Sequence, residues 1–225
     1  MVLSDVKHLR TLPQLEAELN GDLSNRLQEI SRFRDVVHEK KGGLAETPLL
    51  RASVTLFYAH WEGYAKSSAE RYVRYVLSQQ YVSDDLCSAI VAYYLDPGAQ
   101  GARIIYGRSS VRDLVREIRR KAPVKVAPKT TIKIDTASNL SYEVACKMAD
   151  AIGVSGMEAL MKRDFVNGSL LAKRNAIAHG QSAPISFSDV DNYRTETIRM
   201  MRGLKDRLLD AASADEFLRK NEVLV

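Results

Sequence analysis

Apolar residues recur every three or four positions along most of the chain, which is the periodicity of amphipathic helices. The first such stretch predicts a long helix over residues 12–40, which ends at a pair of glycines. The second predicts a helix from Thr47, as N-cap, to about Gln79, with Pro48 at its first position. The stripe of this helix that is expected to face the core consists of Leu50, Val54, Phe57, Trp61, Tyr64, Ser68, Tyr72 and Tyr75.

The rest of the chain predicts further helices and one interruption. A third helix is expected to be capped by Ser83, Asp84 and Asp85 and to run to Leu95. Further helices are expected over residues 109–121, 140–152, 157–162, 165–178 and 186–212. Between 123 and 138 the sequence is instead β-branched and punctuated by proline, which indicates a small strand or hairpin near 131–135. We therefore expect an all-α fold, a bundle of five or more helices with an irregular or β-like insertion at about 123–138. Residues 1–213 are expected to form a single domain, with residues 214–225 as a loosely attached tail.

Composition narrows the class of protein without indicating an activity. The 225 residues carry a net charge of +5, and 45% of them are hydrophobic, as in ordinary globular domains. The two cysteines, Cys87 and Cys146, form no CxxC motif, so the sequence indicates neither a zinc site nor a disulfide framework. There is no signal-peptide core and no run of about 18 apolar residues. We expect a cytoplasmic protein with no membrane partner.

Positive charge is concentrated between residues 103 and 133. Ten lysines and arginines lie there against two acidic residues. Such a density suits a polyanion such as RNA, and Arg103, Arg108 and Arg112 are candidate RNA-binding residues. A solvated helix face followed by a loop explains the same charges, and the sequence does not decide between the two interpretations.

The stretch KRNAIAHG, residues 173–180, combines groups that are suited to phosphate chemistry. Asn175 and His179 share a helix face, whereas Arg174 lies about 140° away from His179 and can reach forward with its long side chain. Arginine presents a permanently charged fork to phosphate oxygens, and histidine exchanges protons near neutral pH. Because the ribose 2′-OH is an internal nucleophile, such a pair suits cleavage of RNA without a metal. Gly180 is expected to end the helix.

The small residues of the same stretch suggest that a second copy of the helix completes the site. Ala176, Ile177 and Ala178 are small or apolar, so the backbone here can pack closely against another element. Two such helices that face each other across a two-fold axis would bring both copies of the polar residues into one cleft. The alternative is purely structural, with His179 capping carbonyl groups at the end of the helix and Arg174 in a surface ion pair.

Three stretches of the chain resemble one protein family. RNAIAH, residues 174–179, matches the R-polar-x3-H form of the Rx4–6H motif of HEPN domains. LLRASVTLFYAHWEGYAKSSAERYV, residues 49–73, resembles the second helix of the MAE_28990/MAE_18760-like HEPN proteins. NLSYEV, residues 139–144, is also similar to that group, and the resemblance extends over roughly residues 15–209.

The resemblance implies a fold, an activity and roles for residues. HEPN proteins are all-α, commonly dimerise so that two motifs form one cleft, and many are metal-independent endoribonucleases of toxin–antitoxin or phage-defence systems. It implies that Arg174 and His179 are catalytic, that Asn175 orients them, and that no cofactor is needed. The implied partners are RNA, a second copy of the chain, and an antitoxin or other defence protein. Inactive HEPN proteins bind RNA, nucleotides or a partner, so a non-catalytic binding module and a helical partner protein are the alternatives.

Other candidate residues lie outside this motif or at its edge. Lys173, Arg51 and Lys66 are candidate RNA-binding residues, and Glu62 is a candidate cleft residue. A surface ion pair between Glu62 and Lys66, four residues apart on a helix, explains these two as well and is the favoured interpretation. His60 is expected to be packed, or at an interface, rather than to act as a second base. No group of Asp, Glu and His has the spacing of a metal site.

Overall fold

A computed structural model of the chain describes residues 9–95, 125–126, 132, 134, 136 and 139–221. Six α-helices make up most of this part: α1 Leu12–Glu39, α2 Glu46–Ser78, α3 Ser88–Leu95, α4 Tyr142–Ala151, α5 Ala172–Ala178 and α6 Phe187–Ser213. Within these ranges there is no β-strand, only the isolated bridges Val82–Lys125 and Leu86–Leu218. The expected all-α fold is confirmed. The helix expected at 109–121 and most of the basic segment lie outside the described residues.

Helix α2 lies at the centre of the bundle. Helices α1 and α6 pack along it and also contact each other. The predicted core stripe of α2 is buried throughout, from Leu50 to Tyr75. Tyr58, on the other side of the helix, is buried as well, with 1% of its surface exposed. The helix is therefore covered on more than one face, as expected for a helix that is apolar nearly all round. None of the described helices is long and apolar enough to span a bilayer.

Side-chain caps set the start of several helices, but not that of α2. Thr11 and Ser186 each form a capping box at the start of α1 and α6. Helix α2 begins at Glu46, so the predicted N-cap at Thr47 is wrong. The Glu46 carboxylate accepts a hydrogen bond from the N–H of Gly42, and this contact draws the preceding loop onto the first turn. The beginning of α2 is set by the fold of that loop rather than by a capping hydroxyl.

Helix α3, in contrast, begins later than the sequence indicates. Residues 83–85 were expected to cap it, but they form a turn that the Asp85 N–H closes on the Val82 carbonyl at 3.0 Å. The helix starts at Ser88. Polar residues of this type favour turns as well as caps, so the sequence pattern fits both structures.

A partly buried charge cluster around Asp22 joins α1 to α2. The Asp22 carboxylate accepts hydrogen bonds from Arg26 Nε at 2.7 Å, Ser67 Oγ at 2.6 Å and Arg71 Nη1 at 2.9 Å. Burial raises the pKa of Asp22, but the hydrogen bonds and the two guanidinium charges outweigh it, so the pKa is lowered overall. Arg26 crosses α2 at Gly63, where a Cβ atom would lie 2.8 Å from its Nη1. A glycine at this position therefore makes room for the cluster.

The segment after α6 packs against the bundle, so the prediction of a loosely attached tail is wrong as far as residue 221. Phe217 has 1% of its surface exposed, and its ring meets Tyr75 edge to face at 6.3 Å. The N–H of Cys87 donates to the Phe217 carbonyl at 2.8 Å. A single aromatic residue that docks in this way has no periodic neighbours, so the pattern of the sequence gives no sign of it.

We predict that Phe217→Ala lowers the free energy of unfolding by about 3–5 kcal/mol, because it leaves a cavity beneath α2. Urea unfolding followed by circular dichroism measures the change. The exposed Lys220→Ala is the matched control in the same segment and should change stability by less than about 0.5 kcal/mol. Equal stability of the two variants would show that the segment contributes nothing to the fold.

We predict that Asp22→Asn destabilises the protein at pH 7 by about 1–3 kcal/mol, and that this difference shrinks in acid. The pKa of Asp22 in the folded protein lies below its ordinary value of 3.8. Its stabilising contribution is therefore complete above that value and is lost as the pH falls through the lowered pKa. Urea midpoints of wild type and variant between pH 7 and pH 3 test this. The exposed Asp210→Asn should differ little from wild type at any pH, and a constant Asp22→Asn difference down to pH 3 would contradict the prediction.

Candidate functional site

The helix that carries KRNAIAHG has two parts, whereas the sequence predicts one α-helix over 165–178. A π-helix, Asp164–Leu171, runs directly into α5. The N–H of Ala172 accordingly reaches the carbonyl of Asn167, five residues back. The buried residues of the π-helix are Phe165, Val166, Leu170 and Leu171. These are two pairs spaced by five, which matches the i→i+5 bonding of a π-helix and is the signal for it in the sequence.

The π-helix is tied to α4 by Asn167. Its Oδ1 accepts a hydrogen bond from the N–H of Tyr142 at 2.8 Å, and its Nδ2 donates to Glu143 Oε2 at 2.9 Å. The hydrogen bond from Asn167 is the largest of the effects that lower the pKa of Glu143 to about 2. Residues of the NLSYEV stretch thus help to hold in place the helix that leads to the motif.

Helix α5 ends in a turn that leaves its histidine in solvent. The N–H groups of Gly180 and Gln181 donate to the carbonyls of Ile177 and Ala176 at 3.1 and 2.8 Å, and Gly180 has a φ of +70°. This is a Schellman ending, in which backbone groups cap the helix. The exposed His179 imidazole forms no hydrogen bond or ion pair with any residue of the described part of the chain. His179 therefore does not cap the carbonyls in the way that the structural alternative requires.

Arg174 is turned towards α2 and is half-buried. Its guanidinium carbon lies 4.5 Å from the centre of the Tyr58 ring, and its Nη1 donates to Asn175 Oδ1 at 2.8 Å. Arg174 and Asn175 are thus brought together against α2. No hydrogen bond between described residues links either of them to the imidazole of His179. The three predicted catalytic residues share one helix end without forming a closed group within one protomer.

The hydroxyl of Tyr58, on whose ring Arg174 packs, is itself hydrogen-bonded. It accepts a hydrogen bond from the N–H of Leu140 at 2.6 Å. Glu62 Oε1 accepts a hydrogen bond from Thr136 Oγ1 at 2.7 Å. Burial, followed by the charge of Glu62, raises the pKa of Tyr58 to about 12. No pattern in the sequence marks a role for Tyr58, although it lies on the same side of α2 as Glu62, one helical turn before it.

The remaining candidates on α2 have different surroundings. Arg51 Nη2 donates a hydrogen bond to the carbonyl of Gln181 at 3.0 Å, and this contact stabilises the loop that follows the motif. Lys66 is exposed. The favoured ion pair between Glu62 and Lys66 is not formed, because Glu62 accepts a hydrogen bond from Thr136 instead. Glu62 therefore belongs to the structure around the motif arginine.

The other charged candidates are only partly described. Lys173 is half-buried and lies near Asp189. The pKa of Asp189 is lowered first by hydrogen bonds from Ser186 and then by the charge of Lys173. The RNA-binding candidates of the basic segment, Arg103, Arg108 and Arg112, lie outside the described residues.

His60 is packed, as expected. Its exposed fraction is 6%, and its Nε2 lies 3.6 Å from Glu29 Oε2. Burial is the main cause of the lowered pKa of His60, so this imidazole favours the neutral form. Across the described ranges, no three His, Cys, Asp or Glu side chains come together in a group that could hold a metal ion.

Comparison with known proteins shows that the chain matches one protein family. The model of the family described as MAE_28990-like HEPN matches residues 15–217. The match covers most of α1 and all of α2, the π-helix and α5, and therefore every described residue of the site. No curated protein and no solved structure matches the chain significantly.

Proposed function

The chain belongs to the MAE_28990-like HEPN family, and on that premise we propose that it is a metal-independent endoribonuclease. One observation carries the proposal beyond the family. A single short helix carries both the exposed imidazole of His179 and the guanidinium of Arg174, which Asn175 and Tyr58 hold in place. An accessible proton-transferring group and a fixed cation are the two kinds of group that this transfer of a phosphoryl group requires.

The proposed reaction needs only groups of the substrate and of these side chains. His179 accepts the proton of the ribose 2′-OH while that oxygen attacks the adjacent phosphorus. The bond from phosphorus to the 5′-oxygen breaks, and the leaving oxygen takes a proton from the second copy of His179 or from water. Arg174 stabilises the negative charge that grows on the phosphate oxygens. The products are a 2′,3′-cyclic phosphate and a free 5′-OH.

A second copy of the chain is part of the proposal. Ala172 and Ala178 are exposed on α5, so two copies of this helix can approach closely. Such a pair would place two arginines, two asparagines and two histidines around one cleft. Lys173 and the basic segment with Arg103, Arg108 and Arg112 would supply charge for the RNA backbone. The setting that we propose is a toxin–antitoxin or phage-defence system, with an antitoxin or other defence protein as a further partner.

One observation favours a different function. The guanidinium of Arg174 packs on Tyr58 and is not hydrogen-bonded to His179. A cation that is fixed in this way also suits a non-catalytic module that binds RNA or a nucleotide through its phosphates. The two functions differ in turnover, so the first experiment separates them.

We predict that the purified protein cleaves RNA in EDTA and that Arg174→Ala and His179→Ala each lower the rate by at least about 10²-fold. Gel analysis of labelled RNA gives the rates, and end-group analysis identifies the cyclic phosphate. Arg202→Ala is the matched control, because it removes one exposed positive charge from α6 and none of the groups at the motif.

Each other outcome has a distinct meaning. Full activity of His179→Ala would show that the assigned chemistry is wrong. RNA that is bound but stays intact with wild-type protein would select the binding module. A salt-insensitive complex with another protein, without affinity for RNA, would select the helical partner protein.

We predict that the protein is a dimer and that Ala178→Arg shifts it to monomers and lowers cleavage. The substituted arginine suits a helix C-terminus and adds positive charge, so lost activity would report on assembly rather than on folding or RNA attraction. Light scattering after size-exclusion chromatography measures the mass. Ala17→Arg, at an exposed position of α1, is the control and should remain a dimer. Full activity of a monomeric wild-type protein would contradict the composite cleft.

A further inference from the structure

We propose that Tyr58 is a positioning residue for Arg174, and that its ring is the platform that sets the direction of the guanidinium. No sequence motif marks this role, and Tyr58 itself is too deeply buried to contact a substrate, with 1% of its surface exposed. Its effect on RNA cleavage rests on the proposed function, whereas its effect on Arg174 does not.

The first step of the inference is the contact between the ring and the guanidinium. The guanidinium carbon lies 4.5 Å from the ring centre, well within the range of about 6 Å in which a cation is attracted to an aromatic face. Burial of the ring strengthens this attraction because little water screens it. An arginine side chain has many rotamers in solution, and such a contact selects one of them.

The second step is the hydrogen bond on the other side of Arg174. Its Nη1 donates to Asn175 Oδ1 at 2.8 Å. Stacking alone leaves the guanidinium free to turn over the ring, and a hydrogen bond alone leaves it free to tilt. The ring and the amide together fix both motions, so the direction of the guanidinium is determined before any ligand binds.

The third step is that the ring itself cannot move. The ring is buried, with 1% of the residue exposed, and the Tyr58 hydroxyl accepts a hydrogen bond from the N–H of Leu140 at 2.6 Å. Leu140 follows the predicted insertion and contacts the ring on which Arg174 packs. The phenol stays neutral over the physiological pH range because burial and the Glu62 charge raise its pKa to about 12.

The test uses two substitutions that separate the ring from the hydroxyl. Tyr58→Phe keeps the aromatic face and loses the hydrogen bond, whereas Tyr58→Leu loses both. Tyr64→Leu is the matched control, since Tyr64 is another buried tyrosine of α2 that lies beneath a different arginine, Arg26, at 5.9 Å. All variants are first compared with wild type by circular dichroism.

The first measurement is the NMR signal of the Arg174 Nε–H group, which is assigned by its absence in Arg174→Lys. The ring current of Tyr58 should shift this proton upfield in wild type. We expect Tyr58→Phe and Tyr64→Leu to retain the shift and Tyr58→Leu to lose it. An unchanged signal in Tyr58→Leu, or equal loss in Tyr58→Phe and Tyr58→Leu, would overturn the inference.

The second measurement is RNA cleavage by the same proteins. We expect Tyr58→Leu to lower kcat about tenfold with KM changed by less than about twofold, because the arginine is still present but is less well directed. Tyr58→Phe should restore most of the rate. Equal rates for wild type and Tyr58→Leu would also overturn the positioning role. If wild type does not cleave RNA, the proposed function fails, and the NMR measurement still decides whether Tyr58 directs Arg174.

Discussion

The burial of α2 on nearly all sides is the constraint on which the rest of the structure depends. More than half of its 33 residues are buried, and four of those are tyrosines. Helices α1 and α6 cover two sides, and α5 with Thr136 and Leu140 covers another. Although the Tyr72 hydroxyl has no partner among the described residues, a buried tyrosine usually finds a hydrogen-bond partner for its hydroxyl. Tyr64 finds one in the Leu19 carbonyl of α1, and Tyr58 finds its partner at the candidate site.

The candidate site therefore depends on the same packing as the core. Helix α5 has only seven residues, too few to be stable alone, so its position comes from the π-helix before it and from its contacts with α2. One face of the motif is packed, with Arg174 on Tyr58. The other end is exposed, with His179 beyond the last turn. This division fits the proposed roles, since a charge-stabilising group profits from being fixed and a proton-transferring group must reach the substrate.

Much of the fold and part of the site could be predicted from local patterns. Helical periodicity gave the bounds of α1 and α6 to within a residue or two, and the aromatic stripe from Leu50 to Tyr75 is buried as expected. The motif lies at the end of a helix that Gly180 terminates, also as expected. The errors occur where a local pattern fits two structures. Polar residues before α3 favour a turn as well as a cap, and the buried pairs before α5 are spaced for a π-helix.

The sequence by itself determined the helical fold class, the core face of α2, the motif and the family, because each is encoded by residues close together in the chain. Only the tertiary structure decided what the motif residues touch. Arg174 meets a tyrosine 116 positions earlier, Glu62 meets a threonine 74 positions later, and Phe217 docks against α2 without any periodic neighbours. Contacts at such separations leave no repeating pattern in the sequence. They form because α2 is buried on several faces, so segments that are distant in the chain pack against it.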